Sequence, residues 1–218
     1  VRLVSFASAG ATLMPRAIAL FRERHPAVEL TLEPAEPEDA LDRLRAGEAD
    51  IALTIDAEFC SVAGDDVELV HLLDDPMYAV LPSHHPLAAK PRIRLEELRE
   101  DAWLAGSQRG CPDTMILIRA CNGAGFEPRI AFHSDDYLAI QGFVAAGVGV
   151  SLIPDLALLA VRDDVAIRAL KSQPPVRRIQ AATLREGYRS PAIEAMLGTL
   201  EEVGREFEGQ RKELALAV

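Results

Sequence analysis

One segment near the middle of the chain constrains the fold more than any other. It runs from Phe143 to Pro154 as an apolar helix end, then glycines, then a β-branched stretch closed by the proline. Glycine adopts positive φ and ends helices, whereas Val148, Val150 and Ile153 favour an extended chain. A helix that passes through glycine into a buried strand is typical of α/β architecture.

The same alternation of strand and helix recurs along the chain in two successive halves. Apolar spacing and turn residues predict both kinds of element. The predicted strands are 2–7, 28–32, 51–55, 77–82, 102–105, 129–133, 148–153 and 177–184, and the predicted helices are 12–25, 38–46, 113–122 and 135–146. Ser190 and Pro191 start a last helix that we expect to fray beyond Gly209.

The order of these elements predicts two Rossmann-like subdomains. In the simplest topology the C-terminal part rejoins the first half, so that the chain crosses twice, near residues 72–76 and 170–176. We therefore predict one subdomain from residues 1–73 with 175–218, and a second from residues 74–174. Two crossings form a hinge over a cleft, which is the architecture of type 2 periplasmic binding proteins.

Composition excludes several classes of function for these 218 residues. There are 34 acidic and 23 basic residues, giving a net charge of −11, which argues against direct binding to nucleic acid. No apolar run approaches the roughly 20 residues of a membrane helix, and the extended start does not resemble a signal peptide. Three cysteines without a C-x-x-C motif indicate a reducing cytoplasm.

Signatures of catalysis and of metal binding are not found. The sequence has no G-x-S-x-G, H-E-x-x-H or Walker motif, and Gly147-Val148-Gly149 follows a helix instead of a strand. His84-His85 has no third ligand nearby, and the Asp-Asp pairs, including Asp74-Asp75, fit turns or helix caps. We predict no catalytic residue, no metal and no cofactor, and hence a protein that is not an enzyme.

Small polar residues instead fill the loops that join predicted strands to helices. In a parallel sheet such loops meet at the carboxyl ends of strands, where helix N-termini favour an anion. Arg109 is the cation of these loops, and the strand end Thr54-Ile55-Asp56 adds a hydroxyl and an acid but no cation. Plain N-cap roles for Ser8, Thr12 and Ser134 are the alternative. The predicted ligand-binding residues are Ser8, Ala9, Gly10, Thr12, Thr54, Ser107, Arg109 and Ser134.

The helix predicted from residue 113 is apolar on all sides. Met115-Ile116-Leu117-Ile118 are consecutive and therefore point all the way around the helix. Helix 12–25 is similarly broad. Either both helices are deeply buried within one chain, or each also packs against a partner chain; we expect the second arrangement.

Five short motifs, in the expected order and at the expected spacing, resemble the effector-binding domain of LysR-type transcriptional regulators. Three lie in the first half: the segment from Phe21 to Leu30, then Gly47-Glu48-Ala49-Asp50, then His85-Pro86-Leu87. Gly125-Phe126 and the segment from Val144 to Val150 complete the set. The resemblance covers essentially the whole chain.

The resemblance implies a cytoplasmic regulator that binds a small organic effector in the cleft between its subdomains. It implies an N-terminal winged helix-turn-helix that is absent here and carries the contact with DNA, and no membrane partner. It also implies a head-to-tail homodimer, or a tetramer at full length. The interface it implies contains Met14, Ile18, Phe21, Leu30, Met115, Ile116 and Ile118. The rival classes are a periplasmic-type solute-binding protein and an enzyme on the same fold.

Cys111 and Cys121 raise a further alternative, because peroxide-sensing LysR relatives carry a cysteine pair in this region at nearly this spacing. A straight helix of about 1.5 Å rise per residue holds the two sulfurs beyond disulfide reach. Cys111 before Pro112 also fits a simple helix start. The sequence leaves open a redox role, the identity of the effector, the target promoter, and activation or repression.

Overall fold

The computed structural model describes residues 1–56, 64–106, 112–171 and 173–216, without the side chains of 211–216. The chain forms two units, Val1–Asp74 with Arg178–Val218 (unit 1) and Asp75–Arg177 (unit 2). It passes from one unit to the other twice, once in strand β4 (Val67–Pro82) and once in strand β10 (Val176–Leu184). Within the described residues, no helix is both long and apolar enough to span a membrane.

Unit 1 is a sheet with helices packed on it. Its further elements are β1 (Arg2–Ser5), α1 (Ala7–Ala11), α2 (Leu13–Arg24), β2 (Thr31–Pro34), α3 (Pro37–Arg45), β3 (Ile51–Asp56) and α6 (Pro191–Leu216). β1 lies between β2 and β3, parallel to both, and β10 pairs antiparallel with β3. Leu41 and Leu44 of α3 pack on Val4 and Ala52 in one buried apolar cluster.

Unit 2 repeats the layered arrangement. Its further elements are β5 (Arg92–Ile93), β6 (Ala102–Ala105), α4 (Pro112–Gly123), β7 (Arg129–His133), α5 (Tyr137–Ala145), β8 (Ser151–Pro154) and β9 (Val165–Leu170). β6 is parallel to β7, and a parallel bridge joins Trp103 to Val150 just before β8. β4 pairs antiparallel with β8 and with β9, and β9 is parallel to β5. The predicted α/β class is therefore confirmed.

The turn or helix-cap role predicted for Asp74-Asp75 is wrong, because β4 continues through these residues. Paired aspartates commonly mark exposed turns. Here Asp75 is fully buried, since Arg177 of β10 neutralises its carboxylate. A partner about a hundred residues away in the sequence thus decides the local structure.

The segment from Phe143 to Pro154 contains the predicted helix end, glycine turn and strand, but the strand begins later in the sequence than predicted. Helix α5 ends at Ala145, Gly147 has φ of 75°, and β8 begins at Ser151 instead of residue 148. A Cβ atom at Gly149 would lie 2.5 Å from the carbonyl oxygen of Ala102. This position requires glycine because β6 approaches it closely.

Other element boundaries also differ from the predictions. The strand expected at 28–32 forms at Thr31–Pro34 and is exposed along its length. Helix α6 continues to Leu216 instead of fraying after Gly209. β9 and the short strand β5 were not predicted from the sequence.

Candidate functional site

The predicted loop Ser8–Thr12 in unit 1 is mostly the short helix α1. Ser8, Ala9 and Thr12 are buried, while Gly10 is half-buried. The Thr12 hydroxyl donates a hydrogen bond to the Ser8 carbonyl oxygen at 2.7 Å and does not cap α2. The N-cap of α1 is Phe6, so the N-cap alternative is wrong for Ser8. Thr12 does occupy the N-cap position of α2, although its side chain makes no capping hydrogen bond there.

Two buried side-chain oxygen atoms belong to paired residues of β3 and β10 in unit 1. Thr54 is 2% exposed, and Gln180 of β10 is its direct cross-strand partner. Cross-strand partners project from the same face of a sheet. Within the described part of the chain, neither the Thr54 Oγ1 nor the Gln180 Oε1 has a hydrogen-bond partner. Sequence reasoning identified Thr54 and missed Gln180, because the pairing of β3 with β10 is not local.

The same pairing adds a cation from another strand to the end of β3, whose own residues Thr54-Ile55-Asp56 contain none. Arg178 of β10 lies opposite Asp56, with Arg178 Nη1 3.8 Å from Asp56 Oδ2. The Arg178 side chain is 53% exposed. A cation therefore stands at this end of the sheet, although it comes from the last strand of the chain.

In unit 2, the ends of β6 and β7 are brought together. The backbone N–H of Ser134 donates to the Ala105 carbonyl oxygen at 2.9 Å, and His133 Nδ1 lies 2.8 Å from the Gly106 carbonyl oxygen. The two other residues predicted for this site, Ser107 and Arg109, lie outside the described residues.

Ser134 does not cap the helix that follows it. The N-cap of α5 is Asp136, whose carboxylate accepts the N–H groups of Leu138 and Ala139 at 2.8 and 3.3 Å. The Ser134 hydroxyl accepts the Asp136 N–H at 3.2 Å and so supports the capping residue. The N-cap alternative for Ser134 is therefore wrong, because the N-cap residue lies two positions later in the sequence.

A cluster of charged and polar side chains in unit 2 was not anticipated from the sequence. We call it the Arg177 cluster; it contains Arg177, Asp75, Asp113 and Tyr137. Arg177 is 1% exposed and binds Asp75 with two nitrogens, at 3.1 and 2.5 Å. Its remaining nitrogen lies 3.1 Å from the carboxylate of Asp113, to which the Tyr137 hydroxyl also donates.

Burial and charge oppose each other at Arg177. Desolvation lowers the pKa of the guanidinium, but the carboxylates of Asp113 and Asp75 outweigh it and raise that pKa well above its ordinary value. Breaking such a pair in the interior leaves an uncompensated charge, which costs about 3–5 kcal/mol. The cluster therefore holds together the strands and helices from which its members project.

A potential group of metal ligands occurs in unit 1, within the part of the chain that the structure describes. Atoms of His71, Asp74 and Glu208 lie within 4.8 Å of one another. Glu208 accepts the backbone N–H of Asp74 at 2.9 Å, and His71 Nε2 lies 3.6 Å from the Asp74 carboxylate. These contacts account for the exposed group without a metal ion.

Comparison with known proteins decides the family. Residues 1–205 match the LysR substrate binding domain. The chain belongs to the LysR substrate-binding domain family. The LysR resemblance found in the sequence is thereby confirmed.

Curated relatives of this LysR domain are transcription regulators. The transcriptional dual regulator GltC of Bacillus subtilis is 28% identical over 177 residues, which cover 78% of this chain and 56% of GltC. The regulator TtuA of Agrobacterium vitis is 32% identical over 157 residues, covering 71% of this chain and 50% of TtuA. The chain thus spans about half the length of these relatives.

Solved structures similar to this LysR domain confirm the type 2 periplasmic-binding-protein-like fold. The effector-binding domain of BenM with benzoate has a TM-score of 0.84 at 21% identity, covering 96% of this chain and 93% of that one. The regulatory domain of Synechocystis CcmR with 2-PG has a TM-score of 0.81 at 22% identity, covering 94% and 96%. No enzymatic family is indicated.

The apolar residues predicted for a LysR dimer interface differ in burial. Met14 and Phe21 are fully buried in the chain's own core, and Ile116 is 8% exposed, so they leave little or no surface for a partner. The half-buried ones are Ile18, Leu30, Met115 and Ile118. These four residues remain a prediction for the interface.

Cys121 has the environment of an inert core thiol. It is fully buried in α4, and burial raises its pKa to about 12. Reactive cysteines are partly exposed and have lowered pKa values. Cys111, the other member of the suspected redox pair, lies outside the described residues.

Proposed function

We propose that this LysR-family domain senses a small organic anion and relays its presence to a DNA-binding segment of a longer cytoplasmic regulator. The family match and the regulator relatives support the sensing role. Similar structures contain benzoate, 2-PG and shikimate, which supports an effector of that size. The relatives reported above favour a regulator over a solute-binding protein. We further propose that the regulator acts as a homodimer, or as a tetramer at full length.

The observation that carries the proposed site is that two buried oxygens, at Thr54 and Gln180, have no hydrogen-bond partner among the residues that the structure describes. A buried polar atom without a hydrogen bond costs about 1–3 kcal/mol, and such atoms in a native structure need an explanation. The Gln180 Oε1 accepts hydrogen bonds only, so it suits an O–H or N–H group of an effector. A hydroxyl-bearing organic acid could donate its hydroxyl to this acceptor and place its carboxylate near a cation such as Arg178 of the same strand.

We assign the anionic part of the effector to Arg109, and we include Ser134, which follows β7, in the same proposed site. Arginine binds carboxylates through two parallel hydrogen bonds, and such pairs are stronger than neutral hydrogen bonds. Together with Ser8, Ala9, Gly10 and Thr12 near the end of β1, these residues form the proposed effector cleft. An effector shifts a conformational equilibrium only by binding one state better than the other.

The first test is a binding panel measured by calorimetry. It compares shikimate and benzoate with benzamide, which has the benzoate ring without its negative charge. We expect the acids to bind and benzamide to bind at least about tenfold more weakly, because the charged pair with Arg109 is lost. Equal affinity for benzoate and benzamide would remove the anion from the proposal.

Two variants locate the site. Arg109→Ala should weaken a bound acid by tenfold or more, whereas Arg22→Ala, which removes an exposed arginine of α2, should not. Thr54→Val should weaken a hydroxy acid such as shikimate more than benzoate, since only shikimate carries hydroxyl donors. If both variants bind like the unaltered chain, the effector lies elsewhere.

DNA binding is assigned to the part of the longer regulator outside these 218 residues. The net charge of −11 opposes contact with phosphates. A mobility-shift assay of this chain on its own promoter should show no sequence-specific complex at physiological salt. A tight, salt-resistant complex would contradict this assignment.

A further inference from the structure

We propose that Arg177 is a positioning residue that couples the starts of helices α4 and α5 to the two strands by which the chain leaves and re-enters unit 1. That these helix starts adjoin the effector loops rests on the proposed function. The coupling itself rests on the Arg177 cluster alone. The two claims are therefore tested separately.

Asp75 and Arg177 lie at the two ends of unit 2. Asp75 is its first residue, in β4, and Arg177 is its last, in β10. The Arg177 Nε and Nη2 bind one oxygen of Asp75, whose other oxygen accepts the backbone N–H of Leu156 at 3.0 Å. Backbone pairing joins the same strands, because the Met77 N–H donates to the Pro175 carbonyl oxygen at 2.9 Å. The two crossing strands are thus fastened to each other inside unit 2.

The other side of the guanidinium reaches the two helices. Asp113 is in the first turn of α4, and its oxygens lie 3.1 and 3.2 Å from Arg177 Nη1. Tyr137 is the first residue of α5, and its hydroxyl contacts both Asp113 and, at 3.4 Å, Arg177 Nη1. One buried side chain therefore contacts groups from both helix starts and from both crossing strands.

Through Arg177, the residues proposed to bind the effector are linked to β4 and β10, the two strands in which the chain passes between the units. In the sequence, Ser107 and Arg109 precede the first residue of α4 by five and three positions, and Ser134 lies three residues before Tyr137. A displacement of either helix start changes a hydrogen bond to a charged group that is shielded from water, where such bonds are strongest. Arg177 must then change its contacts with Asp75, and with them the pairing of β4 and β10.

Native-state amide hydrogen exchange tests the coupling without any effector. Tyr137→Phe removes one hydroxyl and keeps the ring, and Asp113→Asn removes one charge at nearly constant size. Each should accelerate exchange of the Met77 and Leu156 amides by about tenfold, since hydrogen bonds to charged groups are lost. The matched controls are Tyr188→Phe, at an 86% exposed tyrosine, and Asp39→Asn, in the first turn of α3. Neither control should change these two amides.

The proposal is overturned if both variants accelerate exchange only at the starts of α4 and α5 and leave Met77 and Leu156 unchanged. That result would give the cluster a purely local structural role. Arg177→Lys is the second variant. It keeps the charge but cannot bind two carboxylates in the same forked geometry, so it should reproduce the faster exchange while the chain stays folded.

Benzoate and shikimate, each at saturation, then test the connection to the effector loops. In the unaltered chain a bound acid should slow exchange of the Met77 amide. In Tyr137→Phe the acid should still bind by calorimetry, but the slowing should be lost. If neither acid binds the unaltered chain, the proposed effector class is wrong. The coupling through Arg177 is then decided by the hydrogen-exchange experiment without effector. If an acid binds and slows Met77 equally in both proteins, Arg177 does not carry the coupling.

Discussion

Two buried polar sites in this domain, the Arg177 cluster and the Thr54–Gln180 pair, differ in whether their polar atoms have hydrogen-bond partners. In unit 2, every nitrogen of the Arg177 guanidinium lies within hydrogen-bond distance of a carboxylate. In unit 1, Thr54 Oγ1 and Gln180 Oε1 are equally hidden from water, yet neither has a partner among the described residues. Burial alone therefore does not distinguish a structural polar group from one suited to a ligand; the state of its partners does.

The largest expected effect is a loss of stability on substitution of Arg177, whose guanidinium nitrogens all have carboxylate partners. Arg177→Met should destabilise the chain by about 3–5 kcal/mol, because the Asp75 and Asp113 carboxylates lose their buried counter-charge. The free energy of unfolding, from urea titration followed by circular dichroism, measures this effect. The neighbouring variant Arg178→Met is the control: its side chain is 53% exposed and should contribute about 1 kcal/mol or less. Equal losses in the two variants would remove the contrast between buried and exposed arginines.

Cys121 extends the comparison to a buried group that stays neutral. Because burial raises its pKa to about 12, its thiolate fraction at pH 8 falls about a thousandfold below that of an ordinary thiol. In a chain carrying Cys60→Ser and Cys111→Ser, iodoacetamide should label Cys121 only after urea unfolding. Rapid labelling of the folded chain would show that this thiol is accessible and would reopen the redox question.

Substitution of Thr54 should change the stability of the chain in the opposite direction from substitution of Arg177. Thr54→Val replaces a hydroxyl that has no partner in the described part of the chain by a methyl group of similar size, which should stabilise the effector-free chain by about 1 kcal/mol. Thr199 is the control, since it is also buried but donates to the Ala195 carbonyl oxygen at 2.8 Å. Thr199→Val should bring no gain in a thermal-unfolding experiment. A destabilised Thr54→Val chain would mean that this hydroxyl has a partner after all.

The smallest effect belongs to an ion pair at the surface of unit 1. Partial burial raises the pKa of Asp50, but hydrogen bonds from the Arg2 side chain and backbone outweigh it and lower that pKa below its ordinary value. The stabilisation is therefore present above about pH 4 and is lost as the pH falls through the lowered pKa. Asp50→Asn should cost less than about 1 kcal/mol at pH 6, and this cost should become smaller as the pH falls below the ordinary pKa of an aspartate. A loss at pH 6 as large as that of Arg177→Met would contradict the ranking of exposed and buried pairs.

The fold was accessible from the sequence because strands and helices leave local patterns. β3 and β6 form where apolar runs predicted them, and the glycine-containing turn after α5 was correctly placed. The displaced starts of β2 and β8 show that apolar residues flank these strands without belonging to them. β9 was missed, although the Asp163-Asp164 pair directly before it fits a turn.

The sites were harder to predict, because their chemistry depends on contacts between distant parts of the chain. Gln180 became a candidate only through its register with Thr54, and Arg178 supplied a cation that β3 lacks in its own sequence. Asp75 had the sequence context of a turn, although its buried partner makes it part of a strand. Small polar residues at strand ends identified the region, but they did not give the partners of each side chain.

The fully buried Trp103 of β6 gives this domain an intrinsic optical reporter. It is the one tryptophan of the chain, it lies in unit 2, and its ring centroid is 6.2 Å from that of Phe126. The strand that carries it ends at Ala105, two residues before Ser107 in the sequence. Tryptophan emission from this protein therefore describes the surroundings of a single ring in unit 2, and changes confined to unit 1 have no tryptophan of their own to report them.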